Sequence, residues 1–311
     1  MKRILALFLT LLLVAGIAGA QTKTVKKKLT IAQTVIDLSN AYFVTLSEGV
    51  RAACKERGYT YILNDGKSDA ALQISAIENF IVQQVDVIIV TPVDPKALDT
   101  VLKEAKKAGI VIINCNQEVA TKDAFIRVPE YIYGYTAGKI AADWINANIK
   151  GRAAKVAVLN RPVSEQLVQR SEGFKNGVTE NSKATIVAVQ TANTAELGLK
   201  AAETILQNHP DIDGFVCQND TAGLGVYEAL KAAGRKPGSA FITSVDGLVK
   251  AFEKIAEGGI YVGTVDSDPR GMGVFAVETA IKVLESGPIA KEMNPPIIPV
   301  TKANVAGYLK R

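Results

Sequence analysis

From residue 29 onward the chain alternates short runs rich in β-branched residues with longer stretches whose apolar positions recur every three or four residues. The short runs at 29–36, 59–63, 85–90 and 111–113 are apolar on both faces, which predicts strands covered on both sides, as in a parallel sheet. The stretches at 43–57, 70–83 and 96–108 predict helices, and Gly58 and Gly109 stand where a left-handed C-terminal cap is wanted. The pattern pauses at 127–130. It resumes with a helix over 131–148, strands at 155–159, 185–189, 214–217 and 240–244, and helices at 165–178, 196–207 and 222–233 between them. The segments 263–265 and 296–298 flank a helix at 272–284 and are expected to be further passages between the two halves. Such alternation predicts an α/β architecture with parallel sheets. Two halves joined by repeated crossings make a hinge, and the loops leaving the carboxyl ends of the strands face the cleft between them.

Ahead of that pattern, Lys2 and Arg3 precede an apolar run over 4–13 that relaxes into Ala18-Gly19-Ala20. Charge, length and the small-residue exit predict a signal peptide over 1–20, cleaved after Ala20. The apolar run is too short to span a bilayer, and the polar, basic 21–28 segment does not extend it. No cysteine stands at the cleavage point to carry a lipid anchor, so a free protein of the periplasm is expected. Removing Lys2 and Arg3 takes the formal charge from +5 to +3, a weak basicity with no concentrated face for nucleic acid. A chain of 311 residues also exceeds one comfortable core and asks for two lobes. Cys54, Cys115 and Cys217 are spaced for neither a zinc site nor a disulfide scaffold, and are expected as buried small hydrophobes.

Catalytic chemistry finds few residues to use. The single histidine, His209, precedes Pro210 at a predicted helix end, where it faces the last carbonyls. A Gly-x-Ser-x-Gly elbow, a Walker phosphate loop and a His-Glu-x-x-His zinc helix are all missing, and nothing along the chain asks for a cofactor or metal. What remains is a set of polar and aromatic residues at strand ends. Asn40, Tyr42 and Phe43 follow the first strand, Asn219-Asp220 the strand at 214–217, and Asp246-Gly247 the strand at 240–244. Amides offer both donor and acceptor to hydroxyls, carboxylates accept charge-assisted bonds, and aromatic faces cover the C–H patches of a sugar or cyclitol ring. Helix capping competes for Asn40 and core packing for Phe43.

These residues, with the Thr91-Pro92-Val93-Asp94 turn, the Arg170-Ser171-Glu172-Gly173-Phe174 helix, the Gln218-Asn219-Asp220 turn and Val245-Asp246-Gly247, resemble the ribose- and galactose-type periplasmic binding proteins, the solute receptors of bacterial ABC importers. The resemblance runs from about 29 to 299. It implies the type I fold of two Rossmann-like lobes joined by a three-strand hinge, with 27–129 plus 268–297 in one lobe and 130–267 plus 298–311 in the other. It further implies no enzymatic activity, a small-molecule ligand, delivery to an inner-membrane ABC permease and, in some members, presentation to a chemoreceptor. Carried over by position, it assigns ligand contacts to Asn40, Tyr42, Phe43, Thr91, Asn219 and Asp246, and places Asp266 or Ser267 at a polar hinge position. Where sugar binders of the family carry Asp-Arg after the fourth strand this chain has Cys115-Asn116, and where they carry a second arginine it has Val168. Two forked donors are therefore expected to be missing, with Asn116, Gln166 and Asn193 as replacement amides. A neutral sugar, polyol or cyclitol is the expected ligand, an anion being disfavoured unless Arg127 or Arg161 points inward.

Overall fold

The computed structural model describes residues 28–309, so the expected signal peptide at 1–20 lies outside the described residues. Two β-sheets organise the chain. The first holds β1 (Thr30–Val35), β2 (Thr60–Asp65), β3 (Val87–Val90), β4 (Val111–Cys115) and β5 (Ala124–Ile126), all parallel in the order β2-β1-β3-β4-β5. The second holds β6 (Ala154–Asn160), β7 (Ala184–Thr191), β8 (Gly214–Val216), β9 (Phe241–Asp246), β10 (Tyr261–Asp266) and β11 (Ile298–Thr301), in the order β11-β10-β9-β8-β6-β7. Only β11 runs antiparallel to its neighbour. Central strands such as β3 and β4 are buried along their whole length, the physical reason for their unbroken apolar runs.

Helices cover both faces: α1 (Ala41–Arg57), α2 (Ala70–Val82), α3 (Asp99–Lys107), α4 (Glu130–Asn148), α5 (Glu165–Thr179), α6 (Ala195–Asn208), α7 (Asp220–Ala232), α8 (Val249–Glu257) and α9 (Pro269–Ser286). Asn40, Asp69, Ser164, Thr194 and Asn219 each cap the helix that follows by accepting from its first turn. The chain leaves the first sheet after β5, returns to α1 and the first sheet through α9, and leaves again to form β11. Arg127 N–H donates to the Met293 carbonyl at 3.0 Å, tying two of these crossings together.

Three expectations change. The segment 263–265 is not a passage but the middle of β10, a strand of the second sheet, and the crossing follows it at 267–268. The strand β5 spans three residues, too few to show a period. The helix α8 has Ala251, Phe252 and Ile255 buried on one face and was missing from the expected pattern. Cys54, Cys115 and Cys217 are all buried free thiols.

One contact carries directly into the site. Helices α4 and α5 meet along glycines at 134, 138, 173 and 177, and a Cβ on Gly134 would lie 2.1 Å from the Arg170 carbonyl oxygen. Only glycine admits this approach, which brings Glu130 on the first turn of α4 next to Arg170 on α5.

Candidate functional site

A cleft partly open to solvent lies between the two sheets at the carboxyl ends of their strands. The first sheet contributes Ile36 and Asn40 after β1, Tyr42 on α1, and Asn116 and Gln117 after β4. The second contributes Arg161 after β6, Asn193 after β7, Gln218 and Asn219 after β8, and Asp246 at the end of β9. Val128, Glu130 and Tyr133 line it from the crossing and the start of α4, and Leu167 and Arg170 from α5.

Several lining groups are fixed by neighbours. Asn40 accepts from Tyr42 N–H through Oδ1 at 3.0 Å, so capping and lining coexist in one side chain. The Tyr42 hydroxyl donates to Asn116 Oδ1 at 3.1 Å, and burial pushes its pKa well above the ordinary phenol value. Asn116 has φ +67°, a left-handed conformation that asparagine tolerates better than most residues. Asn219 caps α7 with Oδ1 and donates Nδ2 to the Asn193 carbonyl at 3.0 Å, joining two loops of the wall.

The charged groups come in opposed sets. Arg170 donates Nε to Glu130 Oε2 at 2.6 Å, Nη2 to Oε1 at 2.9 Å and Nη1 to the Gln218 carbonyl at 3.0 Å. Its guanidinium also lies 5.1 Å from the Tyr133 ring centroid. Burial works against its charge, but the Glu130 pair more than offsets this and holds its pKa above the usual arginine value. Asp246 is 4 % exposed, and its carboxyl is held well above the ordinary carboxylate range by burial first and the Asp220 charge second, with Arg170 pulling the other way. Arg161 makes no ion pair within 4 Å among the described residues; burial lowers its pKa, with Asp37 acting oppositely. Two carboxyls, Glu130 and Asp246, and two guanidiniums, Arg161 and Arg170, thus line the cavity, and of these Glu130 and Arg170 pair with each other. Among the described residues no three His, Cys, Asp or Glu side chains converge so as to hold a metal ion.

Of the expected contacts, Asn40, Tyr42, Asn116, Asn193, Asn219 and Asp246 converge on the cavity. Phe43 does not: it is buried behind Tyr42, edge-on to its ring at 5.2 Å. Thr91 is buried with its carbonyl accepting from Gln73 Nε2 at 3.0 Å, away from the lining. Cys115 ends β4 inside the core, its thiol pushed up to about 12 by burial, because side chains alternate across a strand and Asn116 takes the outward turn. Gln166 is half-buried on the first turn of α5, off the face shared by Leu167 and Arg170, three residues apart. Asp266 accepts from Asp268 N–H at 2.7 Å, and Ser267 accepts from the Tyr133 hydroxyl at 3.1 Å, both behind the wall.

The expectation of missing forked donors is corrected. Val168 is 38 % exposed and off the cavity, whereas Arg170 and Arg161 both line it; Arg127 pairs instead with Glu292 at 2.8 Å. Glu130, Tyr133, Arg170 and Gln218 were missed as contacts. For Arg170 the helical spacing from Leu167 carried the signal; for Glu130 and Tyr133 no local pattern did.

The model of the periplasmic binding protein domain matches residues 31–288. The ribose import binding protein of Bacillus subtilis is 30 % identical over 275 residues, covering 88 % of this chain and 87 % of the relative. A periplasmic solute binding protein of an ABC transporter from Actinobacillus succinogenes, solved with D-allose, superposes with a TM-score of 0.83 at 28 % identity, covering 90 % of this chain and 100 % of the other. A protein from Mycobacterium smegmatis in complex with β-D-fucofuranose gives 0.82 at 30 % identity, covering 91 % and 94 %. With two parallel sheets, a cavity at their strand ends and matches over most of its length, the chain belongs to the periplasmic binding protein family, in its ribose- and galactose-type branch.

Proposed function

We propose that this protein is a periplasmic solute receptor that captures a small neutral sugar, polyol or cyclitol between its lobes and delivers it to an inner-membrane ABC permease. The observation that carries this reading is the amide-rich lining drawn from the strand ends of both sheets. Hydroxyls bond well to such a wall because every amide and carboxylate offers an acceptor and every guanidinium a fork of donors. The relatives' named ligands, ribose, D-allose and β-D-fucofuranose, are of this class.

The mechanism is a population shift. The lobes at 27–129 plus 268–297 and at 130–267 plus 298–311 flex about their crossings, and a ligand touching both walls binds the closed state better. No bond is made or broken, and the protein is not an enzyme. Residues 1–20 direct export and are removed after Ala20, leaving the receptor in the periplasm.

A thermal-shift screen of the refolded protein against pentoses, hexoses, polyols and inositols tests the reading. At a ligand concentration about a thousand times the dissociation constant, stabilisation of about 4 kcal/mol is expected. A flat response across the panel would rule the neutral-polyol class out.

A further inference from the structure

Behind the cavity wall lies a further carboxyl, outside its lining. Asp220, the first residue of α7, has no solvent exposure. Its Oδ1 accepts from Thr264 Oγ1 at 2.6 Å, from the Tyr261 hydroxyl at 3.2 Å and from the Ser244 hydroxyl. Its Oδ2 accepts from Leu248 N–H at 2.7 Å. Among the described residues no cation pairs with it. Three hydroxyls and one N–H from β9, β10 and the turn after β9 thus surround one carboxyl, the Ser244 and Tyr261 hydroxyls also sharing a hydrogen bond of 2.6 Å with each other.

What Asp220 grips is the ligand-facing wall. Its chain neighbour is Asn219, which lines the cavity and bonds the Asn193 loop. Leu248 closes the turn that begins at Asp246, where φ is +125° at Asp246 and +78° at Gly247. A non-glycine residue stays in that conformation only when its surroundings hold it there. On the far side, a Cβ at Gly247 would lie 2.2 Å from Asp266 Oδ1, so the turn is clamped from two directions. The groups facing Asp246 are Asp220 from α7, Arg170 from α5, Glu130 and Tyr133 from α4, and Tyr42 from α1. Tyr261 of β10 and Cys217 after β8 face Asp220.

We propose that Asp220 is the positioning residue of this wall: through its hydrogen bonds it holds Asn219 and Asp246 in their ligand-facing geometry. This rests on the cleft being the ligand site. Burial raises the Asp220 carboxyl to about 6 while its hydrogen bonds pull the other way, and the Asp220 charge in turn raises Asp246.

The test is Asp220→Asn, which keeps the shape but sets an amide NH₂ against at least one of these groups. Two readouts are taken: the carboxyl-carbon NMR titration of Asp246 in the ligand-free protein, its resonance identified by loss in Asp246→Asn, and calorimetric affinity for D-ribose, D-allose and myo-inositol from pH 5 to 8. The Asp246 midpoint is expected to move to lower pH by about half a unit or more. Plateau affinity for the tightest of the three is expected to fall at least roughly tenfold. An unmoved midpoint, or an affinity within about twofold of the parent, overturns the proposal. Should the parent bind none of the three, the functional reading fails for those ligands while the NMR titration still decides the role of Asp220. If Asp220→Asn does not fold, Thr264→Val removes a single donor and is expected to move the Asp246 midpoint the same way by less; no movement there overturns the proposal equally.

Discussion

The two walls of the cleft share a plan and differ in chemistry. Both are built from the residues that follow parallel strands, yet the first-lobe wall presents only neutral groups, Asn40, Tyr42, Asn116 and Gln117, while the other holds Asp246, Arg161 and the Arg170–Glu130 pair. Bonds to charged groups are shorter and roughly twice as strong as neutral ones. The second-lobe wall should therefore carry most of the ligand affinity, and the neutral wall should complete the enclosure.

The largest effect expected is on stability. Glu130→Ala leaves the Arg170 guanidinium, 11 % exposed, with only a backbone carbonyl, and should cost about 3 kcal/mol in urea unfolding. A loss below about 1 kcal/mol would mean that the pair is solvated and that the contrast between the walls is overstated.

Next in size is the division of affinity. Asp246→Asn is expected to weaken binding of the screened ligand by about 2 to 3 kcal/mol, and Asn40→Ala by about 1 kcal/mol, read by calorimetry. Equal losses would erase the distinction between the walls.

A smaller effect separates them by pH. Asp220 and Asp246 both titrate above the ordinary carboxylate value of 3.8, Asp220 at about 6, so between those values the folded chain binds more protons than the unfolded one. These groups make the ligand-free protein more stable as pH falls from 7 toward 5. A ligand that donates to ionised Asp246 has the opposite dependence, so the ligand-induced rise in Tm should shrink over the same range. Thermal scans with and without ligand that ran parallel would remove Asp246 from the site.

The smallest is a predicted silence. Val168→Arg restores the arginine expected from the family pattern, but on an exposed face of α5, and should change affinity and stability by no more than about 0.5 kcal/mol. A clear gain in affinity would show that the α5 face turns inward in the bound state.

The strand ends were legible for a simple reason. A residue that follows a buried parallel strand emerges at its carboxyl end whatever the rest of the fold does, and this is how Asn40, Asn219 and Asp246 could be placed in advance, while Asn116 came from the family resemblance. On helices one residue is a turn of about 100°, enough to separate Gln166 from Leu167 and Val168 from Arg170. The boundaries of α5 were predicted to within a residue, but which of its faces turns to the cavity is set by its packing on α4. Asp266 and Ser267 stand at the end of β10, beside the crossing at 267–268, where they buttress the Asp246 turn and α4 and do not open on the cavity.

Periodicity, caps and strand-end chemistry are local properties, and the sequence by itself determined them: the alternating α/β order, the helix starts at Asn40 and Asn219, and the neutral amides of the first-lobe wall. The tertiary structure alone decided which charges meet. Glu130 and Arg170 are 40 residues apart and pair because a seam of glycines lets α4 and α5 touch backbone to backbone. Asp220, after β8, and Asp246, at the end of β9, come together because β8 and β9 are parallel neighbours, and β9 and β10 turn the hydroxyls of Ser244, Tyr261 and Thr264 to the Asp220 carboxyl. Coulomb energy depends on the distance between groups and on the solvent left around them, and neither quantity exists until the chain has packed.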